Sequence, residues 1–192
     1  MHTDRKKLSF YLLISLFVLS GFLAAQNNAP PTSELKFPEV EGWEKGDIAK
    51  LGTREMGYTI AYGSEDNDNV TIYVYDAGYK DIGNGVDNKL VQNEIKQAAV
   101  GIEALGEAGL YQNVKKLGDS TVSLGGANGK TKALLSKFTF KLRGQDVESR
   151  IYLFGYQGNF IKIRASRPKG AEGSEPAHLS RLLAELDKMF AK

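Results

Sequence analysis

The chain has 192 residues, 42% of them hydrophobic, and carries 25 basic against 23 acidic side chains with no cysteine. That length supports one domain with a proper core. The lack of cysteine excludes disulfides, thiolate metal sites and a lipid-modified N-terminal cysteine.

The first 25 residues read as a secretory signal. Arg5, Lys6 and Lys7 form a charged head, Leu8 to Leu23 is almost wholly apolar, and Ala24-Ala25-Gln26 offers small residues for cleavage. The competing reading is an uncleaved anchor, but 16 apolar residues fall short of the ~20 a membrane span needs. An uncleaved signal is the only membrane attachment expected. Removing Arg5, Lys6, Lys7 and Asp4 leaves 22 residues of each sign, so the mature chain is formally neutral. Nucleic-acid binding usually rests on a basic excess, so no nucleic-acid partner is expected. The expected location is periplasmic or secreted.

Residues 26–34 (beginning QNNAPPTS) are polar with a proline pair and read as a linker, leaving 35–192 as a single domain. Tyr58–Tyr62 and Val70–Tyr75 are rich in β-branched and aromatic residues and flank the polar stretch GSEDNDN, which predicts two strands and a turn. A helix follows, with Asp87 as cap. Val91, Ile95, Ala98, Ile102 and Leu105 form its apolar stripe, and Gly106 and Gly109 end it. The run YQNVKKLGDSTVSLGG predicts one or two short strands. From Lys132 the period is two. Ser174 is the candidate cap of a final helix whose face carries Leu179, Leu182, Leu183, Leu186, Met189 and Phe190.

Register within the strand run is argued by keeping apolar residues together. A two-residue turn Gly144-Gln145 sets Leu142 against Val147, Phe138 against Ile151 and Lys141 against Glu148. A three-residue turn Gln157-Gly158-Asn159 sets Leu153 against Ile163 and Ile151 against Ala165. One face then holds Leu134, Phe138, Phe140, Leu142, Val147, Ile151, Leu153, Ile161 and Ile163. The other holds Tyr152 opposite Arg164 and Phe154 opposite Lys162, with Phe160 nearby. Tyr152, Phe154, Phe160, Lys162 and Arg164 are therefore the candidate ligand-binding residues, a ring-and-cation platform for an anionic or aromatic ligand or a protein partner. Two structural readings compete. The face is half exposed, with cationic stems lying over rings, or a helix lies on each side of the sheet and buries the rings.

Other motifs carry little chemistry. GGANGKT, Gly125 to Thr131, has Leu124 where a phosphate-binding loop needs glycine and reads as a hairpin turn. GDST, Gly118 to Thr121, resembles an esterase opening, and the alternative function is a secreted serine hydrolase using Ser120 with His178. Glu175 stands where that pattern wants an aspartate, so His178 reads instead as a helix-surface residue. Glu65, Asp66 and Asp68 offer oxygen ligands, but Thr71 and Ala77 occupy the positions where a calcium loop needs Gly and Glu. One histidine in the mature chain and no cysteine disfavour zinc and copper. No metal, cofactor or catalytic residue is assigned. Asn69-Val70-Thr71 fits a glycosylation sequon.

The element order resembles the Mog1/PsbP-like group, which includes small exported bacterial domains of the DcrB kind. The likeness lies in FPEVEGWEKG (Phe37 to Gly46), an early strand pair and one amphipathic helix, then KKLGDSTVSLGG, a long meander and a final helix. A plain Gly-rich link at Leu124 to Lys130 departs from it. The resemblance implies an α+β fold, an antiparallel sheet sandwiched between two main helices, and an accessory or binding role without catalysis. No invariant catalytic residue defines the group, so none is carried over. The alternative fold is a cystatin-like single sheet.

Overall fold

A computed structural model describes residues 34–169 and 177–191. The predicted signal, most of the predicted linker and the candidate cap Ser174 lie outside these residues. The fold is α+β: an eight-stranded antiparallel sheet with two helices. In chain order the strands are β1 (Glu44–Lys45), β2 (Ala49–Lys50), β3 (Tyr58–Gly63) and β4 (Asn69–Tyr75), then helix α1 (Lys89–Glu107) and β5 (Gln112–Ser123). β6 (Lys132–Leu142), β7 (Gln145–Tyr156) and β8 (Asn159–Pro168) follow, and helix α2 (Ala177–Phe190) closes the fold. Across the sheet the order is β1-β3-β4-β8-β7-β6-β5, with β2 also pairing β3.

Each helix covers one side. The stripe Val91, Ala98, Ile102 and Leu105 buries α1 against Phe138, Phe140, Val147, Ile151, Leu153 and Phe160. On the opposite side Leu179, Leu182, Leu183, Leu186 and Phe190 bury α2 against Tyr152, Phe154, Ile161 and Ile163. Trp43, just before β1, joins that second core. Central strand β7 is therefore apolar on both faces, as expected of a strand with a helix on each side.

This two-sidedness corrects the predicted register. The first hairpin turns on Arg143-Gly144, at φ 53° and 82°, and sets Leu142 opposite Gln145 and Phe138 opposite Ser149. The slip is two residues, so faces are kept. The second hairpin turns on Gln157-Gly158, at φ 49° and 76°, and sets Leu153 opposite Lys162 and Tyr152 opposite Ile163. Here the slip is one residue, and every β8 side chain changes face. Both turns have two central residues at positive φ, the type I′ geometry that matches strand twist. Apolar-to-apolar matching assumes that each strand has one greasy face, and β7 has two.

Smaller corrections concern element ends. Asn88, not Asp87, caps α1, its side chain accepting from Leu90 N–H at 2.8 Å. The ambiguous run is one 12-residue strand, β5. It is the sheet's edge, and its two register shifts beside Lys115 and Lys116 disturb the template an edge offers.

Candidate functional site

The platform divides between the two faces. Tyr152 and Phe154 face α2, 2% and 1% exposed, and Phe154 meets Phe190 edge-on. Phe160, Lys162 and Arg164 face α1 and are joined by residues the sequence reading did not single out. β4 supplies them: Tyr75 pairs with Phe160, Tyr73 with Lys162, Thr71 with Arg164 and Asn69 with Ser166. The alternation in Asn69–Tyr75 was the available signal, since Val70, Ile72 and Val74 go to one face and leave the hydroxyl-bearing residues on the other.

Within this stripe the two cations have different surroundings. The Lys162 ammonium lies 4.6 Å from the Tyr73 ring centre and 5.0 Å from that of Tyr75, a cation–π arrangement. Among the described residues it forms no hydrogen bond and no ion pair. Glu94 of α1, the carboxylate closest in influence, accepts the Tyr75 hydroxyl at 2.5 Å. Burial pushes the Lys162 amine down to about 8, with Glu94 opposing and Arg164 assisting. Burial also raises the Tyr75 phenol well above its usual range, helped by Glu94.

Arg164 is 8% exposed and has no carboxylate partner among the described residues. Its guanidinium donates to the Tyr111 hydroxyl at 2.9 Å and to Ser149 Oγ at 3.4 Å. Ser149 and Ser166 are 2.9 Å apart. Asn69 accepts from the Thr71 hydroxyl, but its Nδ2 is buried without a partner. A buried donor of this kind costs on the order of 1–3 kcal/mol. The stripe is thus rich in donors and short of acceptors. The same burial removes the sequon: Asn69 is 3% exposed in the folded chain.

The hydrolase pair is not assembled. Ser120 is exposed on β5, opposite Leu135. His178 Nε2 lies 2.6 Å from Asp68 Oδ2 at the start of β4, with its ring 5.4 Å from Trp43. Four strand spacings, roughly 19 Å, separate β5 from β4. His178 is no free surface residue either: its carbonyl accepts the Trp43 indole N–H at 3.0 Å. Asp68 is thereby engaged, and among the described residues no cluster of three or more His, Cys, Asp or Glu can hold a metal.

The Gly-rich loop holds a carboxylate of its own chain. Asp187 of α2 is buried and accepts from the backbone N–H of Thr131 at 2.7 Å and of Lys130 at 3.1 Å. A Cβ on Gly125 would come within 3.1 Å of Asp187. Gly125 makes room for this contact.

A second charged group lies at the α2 face, where Glu148 accepts from Arg150 and Arg167 at 2.9–3.0 Å. Burial works to raise the Glu148 carboxyl, but these hydrogen bonds outweigh it and hold it below its ordinary value.

No family model matches this chain, and no curated protein matches it. Among the described residues no helix is long and apolar enough to cross a membrane.

Proposed function

We propose that this is an exported, non-catalytic binding or accessory protein that takes an anionic group on the α1 side of its sheet. One observation carries the reading: Lys162 and Arg164 stand two residues apart on one face of β8, and neither has an ion-pair partner among the described residues. Buried charges are ordinarily paired. An anion in this stripe would be paired by both cations and would meet the unpaired Asn69 amide near its end. The neutral mature chain gives no long-range pull on polyanions, which favours a small ligand over nucleic acid.

Export is supported by the charged head, apolar run and small-residue exit of residues 1–25. The helix–sheet–helix layering is compatible with the Mog1/PsbP-like resemblance, whose members are read as accessory domains. A secreted or periplasmic setting follows from the same signal.

Calorimetric titration of the full chain with inorganic phosphate and with acetate tests the binding role. Saturable binding that Lys162→Met and Arg164→Met each weaken at least tenfold supports it, with circular dichroism checking that both variants fold. Identical heats in the wild type and both folded variants overturn it. Hydrolysis of ester probes that survives purification and is lost in Ser120→Ala would restore the hydrolase reading.

A further inference from the structure

We propose that Lys162 is an amine nucleophile that captures small carbonyl compounds carrying a negative charge, such as 2-oxo acids and acidic aldehydes, as a Schiff base. This rests on the anion-binding reading above and gives its ligand a chemical class.

Three features of the geometry support it. The Lys162 nitrogen lies over the rings of Tyr73 and Tyr75 and donates no hydrogen bond among the described residues, so its lone pair, once deprotonated, is not committed. Arg164, the next residue on the same face, is a second cation that disfavours the ammonium and can attract a carboxylate. Glu94, the carboxylate that acts on Lys162, accepts the Tyr75 hydroxyl and makes no ion pair with the amine, although its charge still favours the ammonium. Access is partial: Lys162 and Tyr73 are each half-buried, while Tyr75, Leu153, Phe160 and Arg164 around them on the same face are buried.

With the amine pushed down to about 8, roughly a tenth of it is neutral at pH 7, against well under a thousandth for an ordinary lysine. The step balances without an oxidant or reductant. The nitrogen lone pair forms a bond to the carbonyl carbon, and the carbonyl oxygen leaves as water after two proton transfers with solvent. The product is a C=N bond, and hydrolysis reverses it.

Pulse labelling tests the proposal. The full chain at pH 7 receives glyoxylate with cyanoborohydride, which reduces any imine to a stable secondary amine, and adducts are read peptide by peptide by mass spectrometry. Propionaldehyde, which lacks the charge, runs in parallel. Lys162 is expected to label at least tenfold faster than the exposed Lys89 and Lys96, faster with glyoxylate than with propionaldehyde, and not at all in the folded Lys162→Arg variant. Labelling no faster than Lys89 overturns the nucleophile. Equal labelling by both aldehydes overturns the proposed ligand class. Phosphate calorimetry, which involves no carbonyl, reports separately on the anion-binding reading.

Discussion

The ammonium of Lys162 sits 4.6 Å from the centre of the Tyr73 ring, on the side of the sheet that α1 covers. Rings compensate a half-buried cation only partly. Burial lowers its amine from the ordinary 10.5 to about 8, with Tyr73, Tyr75, Glu94, Arg164 and Tyr111 as the other titratable groups of the stripe. The folded chain therefore holds this proton less tightly than the unfolded chain. Below about pH 8 the full cost is present. Between pH 8 and 10.5 the unfolded state binds more protons, so this residue's contribution makes stability rise with pH.

Lys162→Met keeps the apolar stem and removes the charge. It is expected to exceed the wild type in stability by about 1–3 kcal/mol at pH 7, with the gap closing towards pH 10.5. Urea unfolding at four pH values between 7 and 10.5 measures this. A variant less stable at pH 7, or one with a parallel pH profile, contradicts it.

The two hairpin turns give a test of register. Arg143 and Gln157 occupy the first central position of type I′ turns, where asparagine is favoured before glycine. Arg143→Asn and Gln157→Asn should each stabilise by about 0.5–1 kcal/mol, because a bulkier residue at positive φ costs roughly 1–2 kcal/mol. Thermal melts of the single and double variants check this, and neutral or negative shifts would argue for other turns.

Asp187 ties α2 to the loop between β5 and β6 through the N–H groups of Lys130 and Thr131. Asp187→Ala leaves both donors unpaired under the helix. The expected loss is about 2–6 kcal/mol, at ~1–3 kcal/mol for each unsatisfied group. Hydrogen exchange should show the Lys130 and Thr131 amides losing protection before the sheet does. Unchanged exchange at these two amides would deny the tie.

Gly155 of β7 bridges to Gly85, with two backbone hydrogen bonds of 2.8 Å. A Cβ there would lie 1.9 Å from the Gly83 carbonyl oxygen. Gly155→Ala must therefore push away the loop before α1, at a cost of about 1–3 kcal/mol for overpacking. Chemical denaturation measures it, and a stability equal to the wild type would show that the approach is not maintained.

Much of this fold was legible because helical stripes survive changes of context. The Val91-to-Leu105 and Leu179-to-Phe190 spacings each mark one buried face, and each helix needs only one. The strands were harder for a definite reason. Leu153 and Ile163 are both greasy, yet they lie on opposite sides of a sheet covered twice. Alternation identifies a strand but cannot say which greasy face meets which helix, so the register passed to the turns, where Gln157-Gly158 gave the deciding signal. The site followed the same pattern. Lys162 and Arg164 were visible as cations in a strand, but their ring partners proved to be Tyr73, Tyr75 and Tyr111 from distant segments, while Tyr152 and Phe154 went to the other core.

Lysine side-chain NMR on the labelled full chain, titrated from pH 6 to 11 with and without inorganic phosphate, addresses the Lys162–Arg164 stripe most directly. One Nζ resonance, assigned by its loss in Lys162→Met, should titrate near 8 and move upward when phosphate is present, because a bound anion favours the ammonium. A Lys162 resonance that titrates near 10.5, or one that phosphate leaves unmoved, would contradict an unpaired, anion-ready cation at this position.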